Sequence, residues 1–100
     1  MFVVHNRIDT PPEMADEFER FFGERMRTTL GGVPGLLRST LMKPTEAGRP
    51  YVATMEFDTR DSFLAWMRSD AFREAHAGTE ATGQVPATVE SYTIVEDVRA

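Results

Sequence analysis

Phe2-Val3-Val4-His5-Asn6-Arg7-Ile8-Asp9-Thr10-Pro11-Pro12-Glu13 is the stretch whose reading decides the fold. Its first seven residues alternate as a strand does, with Phe2, Val4, Asn6 and Ile8 on one face. The next residues read as a helix start: Thr10 as cap, Pro11 at the first helical position, and Glu13 completing a capping box. The helix that follows sets Met14, Phe18, Phe21, Phe22 and Met26 on one stripe at 3.6-residue spacing. It must end before the breaker cluster Gly31-Gly32-Val33-Pro34-Gly35.

Outward from there, Leu36 to Lys43 is a second strand and Tyr51 to Phe57 a third, with Pro44 to Pro50 as the hairpin loop between them. Asp58 and Thr59 offer a cap for a helix over Arg60 to Arg68 that carries Phe63, Leu64, Trp66 and Met67. Ser69-Asp70 is a fresh cap, so Ala71 to His76 forms a short separate helix. Ala77 to Thr88 is a loop rich in Gly, Thr and Ala, with a single Pro and almost nothing to bury, a length usually kept for function or mobility. Glu90 to Glu96 closes the chain as the last strand, and Asp97 to Ala100 is a tail. The order β-α-β-β-α-β is the ferredoxin-like α+β pattern in a single domain spanning residues 1–100. Two helices cover only one face of a four-stranded antiparallel sheet. Val3, Val89 and Val95 fall out of phase with Val4, Tyr92 and Ile94, so the other face is not cleanly polar. A second copy of the chain is the simplest cover, which predicts a homodimer with its sheets packed face to face.

Composition narrows the function classes. The 100 residues are 41% apolar, with seven Phe, one Trp and two Tyr, enough bulky material for a small core. No cysteine means no disulfide, no thiolate metal site and no thiol nucleophile. No apolar run approaches the roughly 20 residues that span a bilayer, and Met1 to His5 has no signal-peptide pattern. The expected setting is cytoplasmic, with no membrane partner. A net charge of −5 opposes binding to nucleic acid. Of the eleven basic residues only Lys43 is lysine, and arginine's planar fork suits a local site for an anionic small ligand.

Two histidines, His5 and His76, are too few for a zinc enzyme with three protein ligands. No P-loop, G-x-G-x-x-G or G-x-S-x-G motif occurs, so the chain shows no nucleotide or flavin site and no nucleophile elbow. Asn6 shares a face with Phe2, Val4 and Ile8. On spacing alone it is an amide satisfied by nearby backbone; otherwise it points into a pocket between sheet and helices and can bond a ligand. Trp66, beside Phe63, Leu64 and Met67, reads singly as core. His76 closes a short helix, either interacting with the helix dipole or serving as a metal or haem ligand.

Taken together, Asn6, Trp66 and the run Ser69-Asp70-Ala71-Phe72-Arg73-Glu74-Ala75-His76 resemble the haem-degrading monooxygenases of the IsdG type, within the antibiotic biosynthesis monooxygenase (ABM) superfamily. The resemblance runs over nearly the whole chain, through Asn6-Arg7, the Phe-rich first helix, Pro34-Gly35-Leu36, Phe57 to Trp66 and the last strand. It implies a homodimeric α+β barrel with one haem per subunit between sheet and helices, haem being both cofactor and substrate. Oxygen and an external electron donor or reductase would be needed, and iron would be released. It implies His76 as the proximal iron ligand through its neutral imidazole. Asn6 would hydrogen-bond the distal oxygen-derived ligand, and Trp66 would press on and ruffle the ring. Phe22 would be an apolar wall, and Arg25 a propionate partner. Ala77 to Thr88 departs from the family in having no basic residue and carrying Glu80, which leaves Arg7, Arg25, Arg68 or Arg73 to hold the propionates. The alternative on this fold is a cofactor-free monooxygenase acting on a quinol or aromatic polyketide-like substrate. A third reading is a haem-handling barrel without turnover.

Overall fold

The computed structural model describes residues 1–75 and 88–100, so His76, the expected iron ligand, lies outside the described residues. Strand β1 is Phe2–Ile8, followed by a single 3-10 turn at Pro12–Met14 and helix α1 at Ala15–Thr29. Strands β2 (Leu36–Met42) and β3 (Tyr51–Phe57) form a hairpin, helices α2 (Arg60–Met67) and α3 (Asp70–Ala75) follow, and β4 is Thr88–Thr93. The sheet order β2-β3-β1-β4, antiparallel throughout, is the expected ferredoxin-like topology. No helix among the described residues is long and apolar enough to cross a membrane.

The entry to α1 differs from the capping-box reading. The 3-10 turn takes Pro11 and the α-helix takes Met14 at the N-cap, and neither makes a side-chain cap hydrogen bond. Two prolines in succession explain this: Pro11 sits at φ −57°, ψ 139°, an extended conformation that the residue before a proline prefers, so Thr10 is carried outside the helix. The caps of the other helices are as read. Thr59 Oγ1 accepts from the Ser62 amide at 3.1 Å, and Ser69 Oγ accepts from the Phe72 amide at 3.2 Å.

The last strand is displaced from its expected span. Thr88 to Thr93 pairs with β1 from Arg7 back to Phe2, and the Ile94 amide reaches the Met1 carbonyl at 3.1 Å. Beyond that point β1 offers no further partner, so residues 95 and 96 cannot continue the ladder. The register also reverses the expected phase of this strand. Val89 pairs with Asn6 on the helix side, whereas Tyr92 pairs with Val3 and sets its ring 5.4 Å from His5 on the other face.

Helices α1 and α2 lie on the face formed by Phe2, Val4, Asn6 and Ile8 of β1 and Tyr51, Ala53, Met55 and Phe57 of β3. At one end of this face Phe57, fully buried, gathers Phe2, Val4, Val33 and Trp66 into the core, with Phe63 and Phe72 packed against it. Gly35, at φ +80°, lets the chain pass directly beneath the start of α2. A Cβ there would collide with Ser62 Oγ, and the Gly35 carbonyl accepts from the Asp58 amide at 2.9 Å.

Candidate functional site

Asn6 lies in the middle of β1, directly opposite Ala53 on one side and Val89 on the other. Its side-chain oxygen is buried and accepts no hydrogen bond, so the backbone does not satisfy it. A buried, unpaired amide end costs about 1–3 kcal/mol. A half-turn of the amide would present either a donor or an acceptor at that point.

Helix α1 forms the wall above this part of the sheet. None of its residues is fully buried; of its apolar stripe Phe18, Phe21, Phe22 and Met26 are half-buried, and Met14, at the N-cap, is 49% exposed. The Phe18 ring lies 5.4 Å from Phe22 and 4.8 Å from Tyr51. Arg25, one turn beyond Phe22, is half-buried with its guanidinium 5.3 Å from the Phe21 ring. The half-buried rings of α1 and the buried oxygen of Asn6 thus lie on the same side of the sheet.

Trp66 reaches the same sheet face from the other end. It is buried against Phe57 at 6.1 Å and Phe63 at 6.3 Å, with Phe72 edge-on at 4.9 Å. Phe57 is four residues along β3 from Ala53, the partner of Asn6, a separation of roughly 13 Å at the rise of a strand. Asn6 and Trp66 therefore approach one sheet face from strand positions four residues apart along β3. A shallow cleft of about 230 Å³ does border Trp66, between the Gly31–Pro34 turn and α2, but Asn6 does not line it. It is smaller than the roughly 300–1,000 Å³ of most ligand pockets.

The remaining arginines sort clearly. Arg7 is on the opposite face of the sheet from Asn6 and pairs with Glu90 at 2.9 Å, so it cannot serve a ligand held by the helices. Arg73 is exposed and pairs with Asp70 at 2.7 Å on its own helix. Arg68 is exposed at the C-cap of α2. Arg25 is the arginine on the wall itself. Among the described residues no three His, Cys, Asp or Glu side chains gather as a metal site requires.

One polar cluster escaped the sequence reading. Tyr51 Oη donates to Glu19 at 2.5 Å, and Lys43 Nζ lies 3.2 Å from the same carboxylate. The bond from Tyr51, followed by that from Lys43, holds the Glu19 carboxyl below its usual value, while Glu19 pushes the Tyr51 phenol up to about 12. Lys43 and Tyr51 flank the hairpin loop, but Glu19 is 32 residues from Tyr51, and no local spacing signals such a contact.

Comparison with known proteins bears on the fold and the family. Residues 1–78 match the family model described as antibiotic biosynthesis monooxygenase. A staphylobilin-producing heme oxygenase of Staphylococcus haemolyticus is 35% identical over 96% of this chain and 92% of its own. Its counterpart in Staphylococcus saprophyticus is 31% identical over 82% and 79%. Among solved structures, the heme degrader MhuD of Mycobacterium tuberculosis, with two hemes in its active site, superposes with a TM-score of 0.82. It is 27% identical over 99% of this chain and 100% of MhuD. The sheet order, the family match across three-quarters of the sequence and the two curated relatives agree, and the chain belongs to the antibiotic biosynthesis monooxygenase family.

Proposed function

We propose that this protein is a haem-degrading monooxygenase that takes haem as cofactor and substrate and opens its ring with O₂ and external electrons. The observation that carries the reading is the buried side-chain oxygen of Asn6, which accepts no hydrogen bond, on the sheet face that the half-buried aromatic wall of α1 covers. The heme-oxygenase relatives and the heme-bound neighbour support haem as the ligand for that groove.

The residues fit a large apolar ring with one anionic edge. Phe18 and Phe22 give it an apolar wall, and Asn6 gives a single polar contact on an otherwise apolar sheet face. An amide of this kind orients a ligand but offers no acid. Trp66, braced by Phe57 and Phe63, is a rigid surface against which a ring would be bent. Arg25 would face a propionate, and His76, by the family resemblance, would coordinate iron. Bound haem would supply the iron centre that activates oxygen and the carbon that is oxidised.

The second face of the sheet supports the homodimer. Thr54 is buried at its centre with an unpaired hydroxyl, Val3 and Val52 are half-buried, and Met42 and Tyr92 are each 46% exposed. A second copy covering this face would enclose these groups, and light scattering should give twice the chain mass. The setting is taken as cytoplasmic, with a separate electron donor as the other partner.

The decisive test is a haemin titration followed by ascorbate in air. A saturable Soret band at one haem per chain, bleaching with iron release, is expected. Asn6→Leu should bind haemin but not bleach it, and His76→Ala should lose the iron-ligation spectrum. No saturable band at micromolar haemin would overturn the reading and send the search to quinols. A band that persists in air with reductant would make the protein a haem binder without turnover.

A further inference from the structure

Glu19 is where α1 is tied to the sheet from two sides at once. On the sheet side, Tyr51 is only 4% exposed and stands on the helix-covered face, next along from Ala53, the partner of Asn6. Its hydroxyl donates to Glu19 at 2.5 Å, and Lys43, just past the end of β2, reaches the same carboxylate at 3.2 Å. On the helix side, Phe18 immediately precedes Glu19 and lies 4.8 Å from the Tyr51 ring, and Phe22 lies 5.4 Å from Phe18. A helix with no fully buried residue has little packing to fix its height above the sheet. Charge-assisted hydrogen bonds are directional and short, so they can fix that height where packing does not.

We infer that Tyr51, Glu19 and Lys43 form a positioning clamp that sets the gap between the Phe18–Phe22 wall of α1 and the Asn6 face of the sheet, and thereby the fit of the haem ring. The inference rests on the haem reading. Tyr51 and Glu19 are positioning residues: they act through Phe18 and Phe22 and touch no reacting atom. Loosening the clamp leaves the amide and the aromatic wall in place but lets the wall ride away from the sheet.

The test compares wild type, Tyr51→Phe and Glu19→Gln by amide hydrogen exchange without haemin and by haemin titration. Tyr51→Phe keeps the ring that Phe18 packs on and removes only the hydroxyl; Glu19→Gln keeps the shape and removes the charge. Both should speed exchange across residues 15–29 while leaving 60–67 unchanged. Both should raise the haemin dissociation constant roughly two- to tenfold, the loss expected for one hydrogen bond, and broaden or shift the Soret band. Unchanged exchange in α1 in both variants would overturn the clamp. Faster exchange with wild-type haemin affinity and an unchanged Soret band would also overturn it, leaving a contact that serves stability alone. Wild-type protein that binds no haemin would overturn the haem reading itself, while the exchange arm would still judge whether the clamp holds α1.

Discussion

The two ends of the helix-covered sheet face are built on opposite principles. At the Phe2–Phe57 end, aromatic rings close on a fully buried Phe57, Trp66 is buried against them, and Gly35 lets the backbone run against α2. At the Ile8–Tyr51 end the strand residues are buried, yet the helix above them is not, an amide is left unpaired, and polar groups set the helix position. The first end is a platform that resists change. The second is more loosely packed, at the cost of the stability that tighter packing would give. Trp66 belongs to the platform, and Asn6, with its buried unbonded oxygen, lies between the two ends.

If this contrast is right, the largest loss of stability comes from Phe57→Ala. A fully buried phenylalanine truncated to alanine costs about 3–5 kcal/mol, a large share of the 5–15 kcal/mol that holds a domain folded. Urea unfolding should show it, and a loss under about 2 kcal/mol would mean that the platform repacks freely. Next comes Gly35→Ala. The left-handed backbone alone costs about 1–2 kcal/mol, and the added methyl would collide with Ser62 and Asp58. Overpacking of that kind adds about 1–3 kcal/mol. Gly48 isolates the two contributions: it has φ +81° with nothing within 4 Å of a built Cβ, so Gly48→Ala should show the backbone cost alone. Equal losses at the two glycines would deny the close approach beneath α2.

The groove end should respond in the opposite sense. Asn6→Leu removes a buried oxygen that accepts no hydrogen bond and should leave the ligand-free protein as stable as wild type or about 1 kcal/mol more stable. Turnover should fall about a hundredfold or more, the scale seen when one oriented hydrogen-bond donor is lost from a reacting centre. A clear loss of stability would show that the amide has a partner and serves the fold.

The same contrast explains what could be read in advance. The strand alternation of β1, the breaker glycines and the caps at Thr59 and Ser69 are local signals, and they placed the elements and the ferredoxin-like order. The entry to α1 misled because the sequence Thr-Pro-Pro-Glu satisfies the capping pattern while the second proline forces the first into an extended conformation. The last strand misled because its ends are set by where β1 begins, a non-local fact. For the candidate site, Asn6 stood out as a polar residue on an apolar strand face and Trp66 as the single tryptophan, and only the resemblance grouped them. The half-buried state of α1 did not show, since an amphipathic stripe looks the same whether it meets a sheet or a ligand. The clamp did not show either, since it joins residues from three elements.

The smallest effect is also the sharpest probe of the groove end. Glu19 titrates below its usual 4.5, so the stability it contributes is present above that value and fades as pH falls through its lowered folded-state pKa. Tyr51, raised from 10 to about 12, contributes stability that is complete below pH 10 and is lost as pH climbs towards 12. Both shifts come first from the one hydrogen bond between the two residues, so a single substitution should move both. With Tyr92 replaced by Phe, Tyr51 is the only phenol left, and an ultraviolet titration should place its ionisation near 12. Adding Glu19→Gln should bring it back towards 10 and flatten the fall in stability below pH 5. A Tyr51 midpoint that starts near 10 would show that the phenol and the carboxylate are not joined in solution. The height of α1 above Asn6 would then have to be fixed by the rings alone.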